Sequence, residues 1–397
     1  MIRDEHWAAS WTAAPQLTEP GNLPPAPAIR DGVVFAGCVL RQTLRVSAGG
    51  GRLRLRFSNT FGTTDLVLGE VSVARPAGGQ IGVVGTEEST ARAVTFGGKA
   101  GVTIVPGTQV VSDPVDFPLA DGAALAVAVS LPDGQPAAGG ITSHPGSRTT
   151  SYVLAAGAAV PVEHWYYLSG IEVEGPVTGV AVMLGDSLTD GRGSTTDGHD
   201  RWADQFFRRL CPGQAGRGPA EPGRAPVAMV NQGVGGNRVL RDSLGPSVLS
   251  RLDRDVLAVS GARWLVLFEG VNDIGTADAT AAACKELVSD LIFGYEQIIT
   301  RARAAGLLVY GATLTPLAGN DPYDDAGGHR RGAREQVNTW IRGSGRFDAV
   351  LDFDHAVRDP RDPERLTEAF DTGDHLHLNP AGYAALADAV PADLFRG

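Results

Sequence analysis

The chain has 397 residues and a formal net charge of −11 at pH 7. This negative charge argues against nucleic acids and anionic membranes as partners, because their phosphates attract basic surfaces. Hydrophobic residues make up 43% and charged residues 20% of the chain, which is typical of globular proteins with a substantial core. Because the chain is longer than one usual domain, we predict two domains, residues 1–175 and 176–397.

The first residues and the cysteines give expectations about the protein's environment. Residues 1–7 carry acidic and aromatic side chains where a signal peptide would have an apolar core, and no apolar run is long enough to span a bilayer. The sequence as it stands predicts a cytoplasmic protein, or a secreted one if a leader has been removed. Cys38, Cys211 and Cys284 are widely spaced and predict neither a disulfide framework nor a zinc site, although one disulfide is compatible with them.

Residues 33–174 alternate short apolar runs with Gly, Pro, Asp and Asn, which is typical of strands and turns. Residues 52–57 would place three apolar side chains on one face and three arginines on the other. With residues 44–46 and the turn at 47–51, they predict a hairpin. Further strands are predicted at 67–73, 93–96, 102–105, 110–117, 125–131 and 151–153. This spacing predicts an antiparallel β-sandwich or jelly roll, followed by a linker at 170–176.

The second half of the chain alternates apolar runs with longer helical patterns, which predicts parallel strands joined by crossover helices. Strands are predicted at 179–184, 226–230, 264–268, 307–312 and 349–353. Helices are predicted at 202–210, 249–258, 281–305, 333–342 and 380–388. The fold class of this half is therefore three-layer, doubly wound α/β with a parallel sheet. In such sheets the residues that follow the carboxyl ends of the strands face the binding crevice.

Ser187 is the first candidate for chemistry, because Gly185-Asp186-Ser187-Leu188 directly follows the predicted strand 179–184. A hydroxyl group in this place is aimed at the crevice and can serve as a nucleophile. Read alone, the tetrapeptide also fits an ordinary turn or a helix N-cap. It does not match the G-x-S-x-G elbow, because Thr189 stands where the second glycine would be.

His377 is the best-placed candidate for a general base, because Asp374 precedes it in Asp374-His375-Leu376-His377. At this spacing a carboxylate on a loop can turn back onto Nδ1 of His377 and leave Nε2 free to accept a serine proton. The alternative is a metal site formed by Asp374, His375 and His377. A metal would need further ligands, and the sequence offers no such cluster, so the general base is favoured.

Two polar segments follow other predicted strands and can stabilise an oxyanion. Residues 231–238 contain three glycines, which permit a tight loop with an outward backbone N–H group. Residues 269–273 contain Asn272, whose amide can donate a hydrogen bond into the site. Each segment also has an ordinary interpretation, a structural turn for the first and a helix N-cap for the second.

Taken together and in this order, the four segments resemble the motifs of the SGNH, or GDSL, esterases and acylhydrolases. The resemblance implies a flavodoxin-like α/β fold with Ser187 as nucleophile, His377 as base and Asp374 as its acid partner. It implies an oxyanion hole built from the backbone N–H groups of Ser187 and Gly236 and the side-chain amide of Asn272. No metal and no organic cofactor is implied.

The resemblance covers residues 180–390, and a second one covers part of the amino-terminal half. Residues 7–16, 41–45 and 57–59 resemble a bacterial subgroup of the same family that carries a β-sandwich before the hydrolase domain. Some members of that subgroup resemble esterases that act on plant polysaccharides or short acyl esters. Trp165, Tyr166 and Tyr167 would suit sugar stacking, but a packed core or interface is favoured for such a cluster.

The sequence therefore predicts a serine esterase of small or short-chain acyl esters, with acetyl esters of carbohydrates as the favoured class. The alternatives are a lipase or lysophospholipase, and a non-catalytic carbohydrate-binding protein that keeps the fold. The partner is a small-molecule or carbohydrate ester, and the oligomeric state is left open. The loop 316–325 is predicted to line the substrate pocket. The residues predicted to contact substrate are Asp186, Asn237, Arg238 and Tyr323.

Overall fold

The computed structural model describes residues 6–210 and 226–395. Within them the chain forms two compact units. The first runs to Thr178 and includes Thr196–Gly198, and the second comprises Gly179–Thr195 and the residues from His199 onward. The linker predicted at 170–176 is wrong for its first part, because the chain as far as Glu174 is a paired strand of the first unit.

The first unit is built from antiparallel strands. They are β1 (Trp7–Thr12), β2 (Gln16–Leu17), β3 (Ile29–Arg30), β4 (Val33–Val34), β5 (Cys38–Arg45), β6 (Gly50–Ser58), β7 (Leu66–Leu68), β8 (Val71–Ala74), β9 (Arg92–Val94), β10 (Val102–Ile104), β11 (Gln109–Val111), β12 (Val115–Leu119), β13 (Ala124–Leu131), β14 (Gln135–Pro136), β15 (Thr142–Pro145), β16 (Ser151–Ala155), β17 (Ala158–Val162), β18 (His164–Tyr166) and β19 (Leu168–Glu174). The larger sheets have the strand orders β1-β19-β6-β11, with β12 also on β6, and β17-β16-β5-β13-β8-β9. The antiparallel β domain predicted from the sequence is confirmed.

Strand β6 shows the alternation that the sequence predicts. Leu53, Leu55 and Phe57 are fully buried, whereas the arginines between them are only half-buried. Both of these arginines, Arg54 and Arg56, form ion pairs with Glu172 of the neighbouring strand β19. The strand therefore contributes its apolar face to the core and its cationic face to ion pairs with β19.

The predicted hairpin between β5 and β6 is wrong, because the two strands belong to different sheets. The segment between them gives its backbone donors to other parts of the unit. The Ser47 N–H group donates to the Ser10 carbonyl oxygen at 2.8 Å, and the Gly49 N–H group donates to Asp121 Oδ1 at 2.7 Å. These bonds lead the chain from one sheet to the other instead of folding it back on itself.

The three aromatic residues near the end of the first unit lie in its core. Trp165, Tyr166 and Tyr167 are all buried, and the Trp165 indole N–H donates to the Thr43 carbonyl oxygen at 3.1 Å. Phe35 packs edge-on against the rings of both tyrosines. Of the two interpretations of this cluster, the packed core is therefore the one that the structure supports.

The second unit is a parallel sheet with helices. Its strands are β20 (Gly179–Gly185), β21 (Val227–Gly233), β22 (Ala262–Phe268), β23 (Leu308–Ala312) and β24 (Ala349–Leu351). Its helices are α1 (Ser187–Asp190), α2 (Trp202–Leu210), α3 (Val248–Leu252), α4 (Val271–Gly275), α5 (Ala281–Ala304), α6 (His329–Gly343), α7 (Phe353–Val357) and α8 (Pro380–Ala389), with a π-helix at Asp253–Leu257. The strand order β21-β20-β22-β23-β24 is that of a doubly wound sheet, so the predicted fold class is confirmed.

Three short helices of the second unit were not predicted. Helices α1, α4 and α7 have four or five residues and begin within three residues of the end of a strand. Phe353, predicted as the end of a strand, is the first residue of α7. None of the helices in the described part of the chain combines the length and the apolar character that crossing a bilayer requires.

Two cysteines can be placed in the structure. Cys38 lies in β5 and Cys284 in α5, and both are buried free thiols. Cys211 lies outside the described residues. The buried positions of Cys38 and Cys284 place each thiol in the packing of its own unit.

Candidate active site

The carboxyl ends of three neighbouring strands lie level with one another. In the register of the sheet, Gly185 of β20 stands opposite Gly233 of β21 and Phe268 of β22. Each strand is followed within a few residues by a predicted site residue: Ser187, Gly236 and Asn272. The edge of the sheet therefore brings the three polar segments together, as the sequence predicts.

Glycines at two of these strand ends make room for helix α1. A Cβ atom at Gly185 would overlap the Thr189 side chain and the Phe268 carbonyl oxygen. A Cβ atom at Gly233 would overlap the backbone of Asp190. The small residues therefore let the first turn after β20 sit directly against the sheet.

Ser187 is the first residue of α1, and Asp186 is its N-cap. The Leu188 N–H group donates to Asp186 Oδ1 at 2.9 Å, which satisfies one donor of the first helical turn. The backbone N–H groups of a first turn, that of Ser187 among them, have no acceptor within the helix. The Ser187 side chain remains recessed, with 6% of the residue surface exposed.

Ser187, His377 and Asp374 are hydrogen-bonded in series. Ser187 Oγ lies 2.8 Å from His377 Nε2, and His377 Nδ1 lies 2.6 Å from Asp374 Oδ2. The other carboxylate oxygen of Asp374 accepts the backbone N–H groups of Leu376 and His377 at 3.0 and 2.8 Å. The predicted proximity of Ser187 Oγ and His377 Nε2 is thus confirmed.

The surroundings of this series favour a neutral histidine beside a charged aspartate. Burial lowers the pKa of His377, although hydrogen bonding to Asp374 raises it in part. Burial alone would raise the pKa of Asp374, but the hydrogen bonds from the His377 backbone and ring outweigh burial and lower this pKa to about 2. Near neutral pH, His377 Nε2 can therefore accept a proton while Asp374 holds the ring in place.

Gly236 lies in a conformation that suits glycine. Its φ angle is +70°, in the left-handed region, and a Cβ atom there would come within 2.5 Å of Leu244 Cδ1. The following residue, Asn237, is fully buried, and its side-chain amide donates to the Pro246 carbonyl oxygen at 2.8 Å. These contacts tie the loop that carries the Gly236 N–H group to the segment at 244–246.

Both polar atoms of the Asn272 side-chain amide are hydrogen-bonded. Asn272 Nδ2 donates to the Asn237 carbonyl oxygen at 2.8 Å, and Asn272 Oδ1 accepts the Tyr323 hydroxyl at 2.7 Å. Because Nδ2 has two hydrogens, one remains for a ligand after the bond to Asn237 is made. The structure thus brings Asn272 to the Gly236 loop.

Arg251 connects the loops of the site through buried hydrogen bonds. This buried arginine donates to the carbonyl oxygens of Gln232 and Gly185 at 2.8 and 3.3 Å, and to Asn237 Oδ1 at 3.0 Å. Its charge is balanced by the buried Asp255, at 3.2 Å. Sequence reasoning missed Arg251, since an arginine inside a predicted helix gives no sign of its partners.

Three carboxyl groups are buried near the same strand ends. Burial raises the pKa of Asp186 to about 7 and that of Asp273 to about 6. Burial also raises the pKa of Glu269, and the charge of Asp186 raises it further. These groups stay protonated to a higher pH than exposed carboxyls do, which limits the negative charge beside the nucleophile.

The four residues predicted to contact substrate have partners within the protein. Asp186 caps α1, and the Asn237 side chain bonds to Pro246 and Arg251. The Arg238 guanidinium donates to the Asp242 carbonyl oxygen at 2.6 Å, and Tyr323 donates to Asn272. Asp186 and Asn237 are buried, whereas Arg238 and Tyr323 are half-buried. Contact with substrate stays a prediction for all four.

His375 does not converge on His377. Its Nδ1 atom lies 2.6 Å from Asp371 Oδ2, and its side chain is 47% exposed. In the described ranges, 6–210 and 226–395, no group of three or more His, Cys, Asp or Glu side chains is arranged to hold a metal ion. The structure therefore gives His375 a carboxylate partner of its own.

A serine, a histidine and an aspartate bonded in series at the strand ends of a parallel sheet define a class, the α/β proteins suited to serine hydrolase chemistry. Within this class, residues 183–385 match the model of the GDSL-like lipase/acylhydrolase family. Because the match spans half of the chain, the chain belongs to that family of ester-hydrolysing enzymes.

Solved structures with a similar fold match about half of the chain. One is a GDSL-like lipase from Bacteroides thetaiotaomicron VPI-5482, with 16% identity, a TM-score of 0.37, and coverage of 53% of this chain and 85% of its own. An acetylxylan esterase from Geobacillus stearothermophilus has 19% identity, a TM-score of 0.37, and coverage of 54% and 92%. An alpha/beta hydrolase enzyme from the metagenome of Lake Arreo, Spain, has 18% identity, a TM-score of 0.37, and coverage of 54% and 93%. A sequence comparison with curated proteins finds no match.

Proposed function

We propose that this protein is a serine esterase that hydrolyses short-chain acyl esters, with acetylated carbohydrates as its substrate class. The observation that carries the proposal is the hydrogen bond of 2.8 Å between Ser187 Oγ and His377 Nε2, continued to Asp374 at 2.6 Å. A serine hydroxyl is a weak nucleophile unless a base removes its proton, and here a neutral imidazole is in contact with it.

The first half of the reaction transfers the acyl group to the enzyme. As Ser187 Oγ attacks the ester carbonyl carbon, its proton passes to His377 Nε2, and the carbonyl oxygen becomes an oxyanion. Asp374 stabilises the imidazolium that forms. When the intermediate collapses, the C–O bond to the alcohol breaks, and His377 gives the proton to the departing alcohol oxygen. The product left on the enzyme is an ester of Ser187.

The oxyanion is assigned to the N–H groups of Ser187 and Gly236 and to the free hydrogen of Asn272 Nδ2. Donors fixed before the reaction stabilise the developing charge without further reorganisation. The level strand ends and the bond from Asn272 to the Asn237 carbonyl oxygen support this assignment. Removing one such donor lowers kcat by about 100-fold to 1,000-fold in serine hydrolases.

The second half of the reaction releases the acid. A water molecule enters where the alcohol left, and His377 Nε2 takes one of its protons while its oxygen attacks the acyl carbon. The collapse of this second intermediate breaks the bond to Ser187 Oγ, which regains its proton from His377. The carboxylic acid leaves and the enzyme returns to its first state.

The proposed preference for small acyl groups rests on how far the reacting groups are recessed. Ser187, His377 and Asn272 expose only 6%, 8% and 3% of their surfaces. A flat acetyl group needs little space beside such groups, whereas a long acyl chain needs an apolar channel. The carbohydrate class is supported by residues 7–16, 41–45 and 57–59, which resemble a bacterial subgroup of the family in which some members look like esterases of plant polysaccharides or short acyl esters.

The proposal is tested with wild type and Ser187→Ala on acetylated oligosaccharides and on nitrophenyl esters of increasing acyl length. We expect the wild type to release acetate and to show its highest kcat/KM with the shortest acyl groups. Ser187→Ala should lose at least about 1,000-fold in kcat.

Three results would count against this function. A preference for long acyl chains would identify a lipase or lysophospholipase instead. Binding of glycans without turnover of any ester would favour a carbohydrate-binding protein. Retention of activity in Ser187→Ala would exclude the proposed nucleophile.

A further inference from the structure

We propose that Tyr323 is a positioning residue of the oxyanion hole, which acts through its hydrogen bond to Asn272. This inference rests on the proposed function and adds to it a residue from a distant loop, between β23 and α6. The sequence suggested only substrate contact for this tyrosine.

The two hydrogen bonds of the Asn272 amide determine which of its ends faces which partner. The Asn237 carbonyl oxygen can only accept a hydrogen bond, so the atom 2.8 Å from it must be Nδ2. Oδ1 of Asn272 therefore faces the Tyr323 hydroxyl, 2.7 Å away, and that hydroxyl must be the donor. Tyr323 thus fixes, together with the Asn237 carbonyl oxygen, the rotation of the amide about its last bond and the direction of the second Nδ2 hydrogen.

The protonation state of Tyr323 suits its role as a hydrogen-bond donor to Asn272. Burial raises the pKa of the Tyr323 phenol, and the negative charge of Asp186 raises it further. The hydroxyl therefore keeps its proton and donates over the working range of an esterase. A donor on Oδ1 also draws electron density from the amide, which makes its N–H groups stronger donors to an oxyanion.

The Tyr323 ring is held over a glycine that leaves room for it. A Cβ atom at Gly275, the last residue of α4, would overlap the ring at Cγ, Cδ1 and Cδ2. Gly275 and Asn272 lie on the same short helix, so the ring packs on the element whose side chain it orients. An alanine at position 275 would push the ring away and break the bond to Asn272.

The loop that carries Tyr323 also contacts the loop of the acid and base. Asn320 Oδ1 accepts the Tyr323 backbone N–H group at 3.3 Å, and Asn320 Nδ2 donates to the Asp374 carbonyl oxygen at 2.7 Å. Arg330 donates to the Pro322 carbonyl oxygen at 2.8 Å and braces the loop from α6. The tyrosine is therefore fixed to the same framework that holds Asp374 and His377.

The test measures kcat and KM with a short acetate ester for Tyr323→Phe, Asn272→Ala and the double variant. Tyr323→Phe should lower kcat by about 10-fold to 100-fold, less than loss of the donor itself, because the amide stays but is held only through its bond to the Asn237 carbonyl oxygen. KM should change less than about twofold, since the lost interaction is with transition-state charge. In the Asn272→Ala background, Tyr323→Phe should have no further effect on kcat.

A matched control is Tyr310→Phe, which removes a tyrosine hydroxyl that donates to the Leu394 carbonyl oxygen at 2.9 Å. It should keep the wild-type kcat. Gly275→Ala displaces the ring without touching the hydroxyl and should reproduce the kcat of Tyr323→Phe. If Gly275→Ala does not fold, the Tyr323→Phe series still decides the question.

The outcomes separate this inference from the proposed function. Ser187→Ala without loss of activity would overturn the proposed function itself. If Ser187→Ala is inactive but Tyr323→Phe keeps the wild-type kcat, only the positioning role is wrong. Equal losses from Tyr323→Phe with and without Asn272 would likewise overturn it, because the tyrosine would then act by another route.

Discussion

At the scale of single residues, His377 carries two opposing influences. Burial disfavours its protonated form, and the carboxylate of Asp374 favours that form, but burial is the larger influence and the pKa is lowered. The ring therefore stays neutral at a pH where an exposed histidine would be half protonated. A base of this kind is ready to accept the Ser187 proton in mildly acidic solution.

The pH dependence of kcat/KM should report this pKa. Only neutral His377 accepts a proton, so activity rises as pH increases through its pKa, and the midpoint of this acid limb should lie below 6.5. In Asp374→Asn the midpoint should fall further, because the charge that favours the imidazolium is gone, and kcat should drop by about 10,000-fold. A wild-type midpoint above 6.5 would contradict the lowered pKa of His377.

Sequence reasoning identified the residues that carry chemistry better than those that support them. Ser187, Asp374 and His377 stand at recognisable spacings next to predicted strand ends or helices, and their hydrogen-bond series is present in the structure. Tyr323 bonds to Asn272 across 51 positions of sequence, and Arg251 reaches back 66 positions to Gly185. Such contacts depend on the packing of loops, which local sequence patterns do not encode.

At the scale of elements, predictions succeeded where a sequence pattern extends over many residues. They failed where they concerned which strands pair with each other. Helices α2 and α5 span enough residues for periodicity to show, and they match the predictions within one residue. Helices of four or five residues, such as α1, are too short to show a period. The alternation of apolar and charged residues in β6 predicted which of its faces is buried. The strands that pair with β6 depend instead on the tertiary hydrogen bonds of the segment that precedes it.

Helices α6 and α7 are joined by a buried ion cluster. Asp354 of α7 is fully buried and lies 2.6 Å from Arg334 and 2.6 Å from Arg342, both on α6. Arg334 is itself buried and also donates to the Leu314 carbonyl oxygen at 3.0 Å. One carboxylate thus neutralises a buried guanidinium at the end of the loop that carries Tyr323.

Asp354→Asn should lower the free energy of unfolding by about 3–5 kcal/mol, because it leaves the Arg334 charge buried without its counterion. The measurement is denaturant unfolding at neutral pH. Asp253→Asn is the matched control, since this exposed residue pairs with Arg301 at 2.8 Å near the surface and should cost less than about 1 kcal/mol. Equal losses in the two variants would show that burial does not set the strength of the Asp354 cluster.

At the scale of the whole molecule, the excess of acidic residues includes several that are not on the surface. The net charge is −11 at pH 7 when every carboxyl is counted as ionised. Asp186, Asp273 and Glu269 are buried, and burial raises the pKa of each. The native state therefore binds more protons at these positions than the unfolded chain does, and stability and pH are linked through them.

Glu269→Gln should reveal this linkage. Below about pH 4 the carboxyl is protonated in both states, so the variant and the wild type should be equally stable. As pH rises, the unfolded wild type ionises first, which favours unfolding, because the native pKa of Glu269 is raised. The glutamine cannot ionise, so its advantage in thermal midpoint should grow between pH 5 and 8, at about the values where an unfolded glutamate is charged.

The exposed control Glu286→Gln of α5 should follow the wild type at both pH values. An advantage for Glu269→Gln that is the same at pH 5 and 8, or a loss that grows with pH, would contradict a buried carboxyl with a raised pKa.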